Sequence, residues 1–176
     1  MRVLRLFVAA CLVCSRNPGS VSGATARVLN VCDVLRDIRA VNGKTLIVVG
    51  RSISTNEGSW LGAECSDRLS TVSFTWPNVV ATSSGVNDSA PPPQLPKGFK
   101  WPEAAISKSA AGVAGGVVRR AGQKWLAVYG RLETHVPLQV AMCGGGPCGI
   151  GFGHGAEAPA QIVFAGDGVF EIRQGK

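Results

Sequence analysis

The chain holds two histidines, His135 and His154, and the second lies in the string Gly151-Phe152-Gly153-His154-Gly155. Glycines let a backbone come close to a ligand, and an imidazole binds metals or moves protons near neutral pH. A metal-binding protein or a hydrolase built on this loop is therefore one chemistry to consider. The competing role is architectural: the ring nitrogens bond to backbone and pin the loop. One imidazole with no marked base or nucleophile favours that role. Cys143 and Cys148 lie between the two histidines. Two thiolates and two imidazoles suit tetrahedral zinc. Yet Cys-x4-Cys is not a finger spacing, and oxidation of the pair would remove both thiolates. Gly144 to Gly149 spells G-x-G-x-x-G. A dinucleotide site needs that string between a strand and a helix. Here it contains Pro147 and Cys148, and no helical pattern follows, so composition explains it.

A second set is aromatic and basic: Trp60, Trp125, Tyr129 and Arg131. Such a face binds sugars or single-stranded nucleic acid by stacking. The competing role for the tryptophans is core packing. Arg119-Arg120 reads as a solvated helix end. No nucleophile motif is present, and the acids Glu57, Glu64, Asp67, Glu133 and Glu157 show no pairing by spacing. No catalytic residue, metal ligand or cofactor is assigned. The ligand-binding candidates are His154, Trp125, Tyr129 and Arg131.

Elements must position these residues. Lys44-Thr45-Leu46-Ile47-Val48-Val49-Gly50-Arg51 returns eighty positions later as Lys124-Trp125-Leu126-Ala127-Val128-Tyr129-Gly130-Arg131. Both read as strands, and a glycine inside a strand marks a bulge or bend. In the first, Leu46 and Val48 face one way and Thr45, Ile47 and Val49 the other, so both faces should be covered. Asn56-Glu57-Gly58 turns the chain and Ser59 to Glu64 returns. Leu69 to Trp76 alternates, which predicts a half-exposed third strand with Val72, Phe74 and Trp76 inward. Val28 to Ile38 has helical spacing with Asp33 near its start. The segment 78–101, with Pro91-Pro92-Pro93 and Pro96, predicts an exposed extended loop. Pro102-Glu103 opens a second helix with Ile106, Ala110, Val113 and Val117 on one stripe. A glycine-rich excursion spans 137–159. Gln161 to Phe164 and Val169 to Ile172 close the sheet, broken by a turn at Gly166-Asp167-Gly168.

The first residues have another purpose. Met1 to Arg5 is basic, Leu6 to Val13 is apolar, and Ala24-Thr25-Ala26 is an A-x-A site, the layout of a secretory signal peptide. Val8-Ala9-Ala10-Cys11 also resembles a lipoprotein box, with lipid anchoring at Cys11 as the alternative. The expected organisation is a signal peptide at 1–26 and one domain at 27–176, secreted or periplasmic. No segment of the mature chain has the length to span a bilayer. Loss of Arg2, Arg5 and Arg16 leaves 15 basic residues against 11 acidic, so the formal charge falls from +7 to +4. That balance and an exported location favour a protein or glycan of the cell envelope as partner over nucleic acid. Cys32, Cys65, Cys143 and Cys148 remain, an even number that reads as two disulfides in an exported chain. Four cysteines allow three pairings; Cys32–Cys65 with Cys143–Cys148 is preferred, since Gly144-Gly145-Gly146-Pro147 turns tightly enough to close the second.

Three strands, a helix and two strands, with glycine bends in the first and fourth, resemble the OB fold, a five-stranded barrel. The fold class expected is mainly β with one or two short helices. More narrowly, the chain resembles small exported bacterial proteins of unknown function. Val31-Cys32-Asp33-Val34-Leu35, the Gly43 to Arg51 strand, and Gly151-Phe152-Gly153-His154 followed by Ala158-Pro159-Ala160-Gln161 carry this likeness. It implies a barrel and no activity. The leading expectation is a non-enzymatic, disulfide-stapled binding or interaction module. The alternative is a metal protein or hydrolase using His154, and the third is single-stranded nucleic-acid binding.

Overall fold

The computed structural model describes residues 26–85, 90–113 and 123–173. The signal-peptide segment up to residue 25, Val117 and Arg119-Arg120 lie outside these residues. The described chain is mainly β, with nine strands and three short helices. In order these are β1 (Val28–Asn30), α1 (Val31–Arg36), α2 (Ile38–Val41), β2 (Thr45–Thr55), β3 (Gly58–Gly62) and β4 (Val79–Ser83). Then come α3 (Glu103–Val113), β5 (Trp125–Thr134), β6 (Gln139–Cys143), β7 (Gly146–Ile150), β8 (Ala160–Val163) and β9 (Val169–Glu171).

Five of the strands close on themselves. β2 pairs with β3, β3 with β4, β4 with β8, β8 with β5, and β5 returns to β2. The β4–β8 pair is parallel and the other four are antiparallel. Numbered along the chain, the barrel strands run first, second, third, fifth, fourth and back to first. With α3 between the third and fourth, this is the OB-like barrel that the sequence implies.

The two repeated strings form the centre of the barrel wall. β2 and β5 pair antiparallel from Thr45↔Arg131 to Arg51↔Trp125, and Val48 stands opposite Val128. Those two valines hold the same place in the repeat, so an approximate two-fold axis passes between them. Each strand changes partner at its glycine. On β2, Ile47 to Val49 pair with β1 and Arg51 to Thr55 pair with β3; Gly50 lies between. On β5, Leu126 to Val128 pair with β9 and Arg131 to Thr134 with β8, with Gly130 between the two sets. A Cβ at Gly50 would come within 2.8 Å of Leu61 Cβ and 2.9 Å of Val31 Cγ2, and one at Gly130 would strike the Val163 carbonyl. Both glycines are therefore required by close approach, as the bent-strand reading implies.

Alternation along β2 sorts its side chains as expected. Leu46 and Val48 face the barrel interior with Leu61, Val80, Val128, Leu132 and Ile162. The interior is plugged by Val31, Val34, Leu35, Ile38 and Val41 of α1 and α2. Ile47 and Val49 face outward into a second core, under Ile106, Ala110 and Val113 of α3. Burial on both faces from Leu46 to Gly50 explains why this half of the strand shows no polar row.

Three segments differ from expectation. The Val28–Ile38 helix begins at Val31 instead, because the Asn30 side chain caps it, accepting from Asp33 N–H at 2.9 Å. That frees Val28 to Asn30 to extend beside β2. Leu69 to Trp76 is not the third strand. Ser70 and Thr75 bridge across a tight turn, Thr71 Oγ1 bonds to both the N–H and the carbonyl of Phe74, and Val72 is fully exposed. Threonine and serine hydroxyls satisfying local backbone compete with a ladder, and here they win. The third barrel strand is β4, inside the segment read as loop. Residues 90–101 of that segment form a packed strap. Leu95, Phe99 and Trp101 lie on the second core, with Phe99 5.3 Å from Tyr129 and Trp101 stacked on Phe170 at 5.3 Å.

Candidate functional site

The four ligand-binding candidates occupy different settings. Trp125 and Tyr129 are outward-facing residues of β5, but α3 and the proline-rich strap cover them, leaving 6% and 8% of their surface exposed. A ligand reaches either ring only after that cover moves. Arg131, also outward-facing, is engaged. Its Nε donates to Glu133 Oε1 at 2.9 Å, Nη1 to the Pro91 carbonyl at 2.8 Å and Nη2 to the Ala90 carbonyl at 3.0 Å. Gln161 Nε2 donates to the other Glu133 oxygen at 2.8 Å. Arg131 therefore fastens the strap to the barrel.

His154 stands apart from these. It is exposed at the tip of a turn held by Gly151 N–H on the Ala156 carbonyl at 2.7 Å and by paired backbone bonds between Phe152 and Ala158. Gly153, at φ +87°, lets the turn press on Trp60: a methyl there would lie 3.1 Å from Trp60 Nε1. His135 does not share a ligand set with His154. Its ring stacks on Phe152, centroids 4.7 Å apart and 12° from parallel. Among the described residues no group of three or more His, Cys, Asp or Glu side chains could hold a metal ion.

The cysteines pair as preferred from the sequence. Cys32–Cys65 ties α1 to the segment after β3, and Cys143–Cys148 crosses the tip of the β6–β7 hairpin. The second bond takes up both thiols of the candidate zinc set. The G-x-G-x-x-G string falls in the hairpin turn and β7, with no helix after it.

The outer face of β3 and β4 is where an OB barrel commonly receives its ligand. Here the glycine-rich excursion lies across it. Trp60, Ala81 and Ala158 form a third core with Ile53, Val79 and Phe152. Trp60, one of the aromatic candidates, is thereby buried.

One open place involves residues that the sequence reading left unassigned. Arg51, Ser52, Ile53, Gln123 and Lys124 line a surface cleft of about 490 Å³. It sits at the corner where β2 leaves β5 and turns toward β3, and Ser52 N–H donates to the Lys124 carbonyl at 2.9 Å. The signal was present in the repeat. Each string begins with lysine and ends with arginine, so antiparallel pairing must bring the arginine of one to the lysine of the other.

No helix among the described residues is long and apolar enough to cross a membrane. The chain matches no family model, and no curated protein or solved structure is similar to it. The fold assignment rests on strand order and register alone.

Proposed function

We propose that this protein is an exported binding or interaction module whose partner is a protein or glycan of the cell envelope. The observation that carries the reading is the closed OB-like barrel with both cysteine pairs joined. Disulfides persist in oxidising compartments, and a small barrel stapled this way holds its surface rigid without a cofactor. The basic, apolar and A-x-A order of residues 1–26 supports export. The exposed turn carrying His154 is proposed as a contact with the partner. Trp125, Tyr129 and Arg131, under the strap and apart from this turn, would shape the wall and not touch the partner. The partner would bind the surface that α3, the strap and the excursion leave open.

The test combines thiol counting with partner capture. The mature protein should show no free thiol by mass spectrometry after alkylation without reductant. Crosslinking in intact cells should recover an envelope component, with His154→Ala weakening the recovery. Four free cysteines, a cytoplasmic location or stoichiometric zinc in the purified protein would overturn the reading. Retention on single-stranded nucleic acid that collapses with added salt would replace it with the third reading.

A further inference from the structure

We propose that the corner formed by Arg51 and Lys124 is a subsite for a carboxylate group. The argument starts from the approximate two-fold axis between Val48 and Val128. That axis relates two corners of the β2–β5 ribbon. At one, Arg131 meets the start of β2, where Leu132 N–H donates to the Lys44 carbonyl at 3.0 Å. At the other, Arg51 stands opposite Trp125, next to Lys124.

The protein fills the first corner itself. Glu133 supplies a carboxylate two residues along the same face from Arg131, and the strap supplies two carbonyl oxygens. Among the described residues the second corner has no such supply. The residue two positions after Arg51 is Ile53, so an isoleucine stands where β5 has its glutamate. Among the described residues Arg51 has no ion-pair partner. Lys124 reaches Glu171 only at 3.9 Å, with both side chains more than half exposed, a pairing that contributes little. Two cations therefore flank a cleft of about 490 Å³, with only the loose Glu171 contact at Lys124 for a carboxylate among the described residues.

The filled corner shows what an arginine in this setting binds: one carboxylate oxygen through Nε and Nη2 together. Charge-assisted bonds of this kind are the strong ones, and guanidinium geometry matches a carboxylate closely. The amide-bearing Gln123 beside Lys124 gives the cleft a further polar lining. The ligand group assigned is thus a carboxylate borne by the partner or by a free acid. The assignment deepens the binding-module reading, though its test does not require the envelope partner to exist.

The experiment uses the mature, oxidised protein and sodium acetate as probe, followed by the arginine Nε–H signals in nitrogen-15 NMR. Sodium chloride at equal ionic strength is the control. Acetate should move the Arg51 signal saturably and leave Arg131 in place. Arg51→Gln should weaken the acetate response about tenfold as read at neighbouring amides, the size expected for one charge-assisted contact. Lys124→Gln should weaken it several-fold. Ile53→Glu should abolish it by closing the corner from within, as Glu133 closes the other. An Arg51 signal that moves no more with acetate than with chloride overturns the proposal. So does a response that survives both Arg51→Gln and Ile53→Glu in folded protein. Stronger binding of inorganic phosphate than of acetate overturns the carboxylate assignment. Partner capture that persists through any of these outcomes leaves the binding-module reading standing.

Discussion

Arg131 and Arg51 occupy the same place in two repeated strands, yet one is surrounded by oxygen atoms and the other, half-buried, has no ion-pair partner among the described residues. The contrast extends along the whole ribbon. β5 and its glycine are locked from outside by the strap and the Arg131–Glu133 pair. β2 lies under α3 and is locked from its flank as well. β1 runs into α1, whose Cys32 is bonded to Cys65 beyond β3, so the β1–β2–β3 edge carries a covalent staple. β9, the counterpart of β1 on the other strand, has no covalent tie: its ladder, the Trp101–Phe170 stack and the weak Lys124–Glu171 pair hold it. The same string is thus stabilised by a crosslink at one copy and by side-chain polar bonds at the other. Where polar bonds do the fastening, the arginine is consumed; where sulfur does it, the arginine is left over.

The comparison can be broken most forcefully at the staple. Replacing Cys32 and Cys65 together by alanine should cost about 3–4 kcal/mol by chemical denaturation, since the closed loop is long. Hydrogen exchange should then rise first in β1 and β3; equal loss in β8 and β9 would refute the division. Next come the glycines. Gly130→Ala should cost about 3 kcal/mol, because the added methyl meets a backbone carbonyl that cannot rotate away. Gly50→Ala should cost about 2 kcal/mol, because the added methyl meets Leu61 Cβ and Val31 Cγ2 while the nearest backbone oxygen, that of Gly62, lies farther off at 3.3 Å. A reversal of that order, read from urea midpoints, would show that the two bends are not held as described. Arg131→Gln should cost about 1–2 kcal/mol and loosen the strap, exposing Tyr129 to solvent quenchers. Asn42→Ala should cost about 1 kcal/mol, because its Oδ1 accepts from Thr134 N–H at 3.0 Å and joins the start of β2 to the end of β5. Arg51→Gln should change stability by no more than about 0.5 kcal/mol, as expected of a half-buried residue with no ion-pair partner among the described residues.

Much of the barrel could be read from local pattern. The Lys44 and Lys124 strings announced two bent strands, and alternation within Leu46 to Val49 sorted inner from outer side chains. Four cysteines with a glycine-proline turn pointed to the pairing. Each of these signals is short-range or exactly repeated in type. β4 was missed because Val79 to Ser83 is brief and sits among turn residues, while Leu69 to Trp76 imitates a strand better. What distinguishes them is the hydroxyl bonding of Thr71 and the parallel match to β8, and the second is a long-range fact. The strap was missed for a related reason. Leu95, Phe99 and Trp101 have no period, and their burial depends on a β5 face far away in sequence. At the candidate site, burial of Trp60 and Trp125 follows from loops that no spacing could place. The open Arg51 corner was implicit in the repeat, because antiparallel pairing of two strings with opposite ends brings those ends together.

The approximate symmetry of the ribbon also bears on folding at high concentration. A segment that pairs antiparallel with a near copy of itself can accept its own counterpart from another molecule. β2 of one chain offers β2 of a second chain the same apolar register that β5 offers within a chain. Until β5 arrives, from eighty positions downstream, that edge is a template for intermolecular pairing. Refolding yield should therefore fall as protein concentration rises.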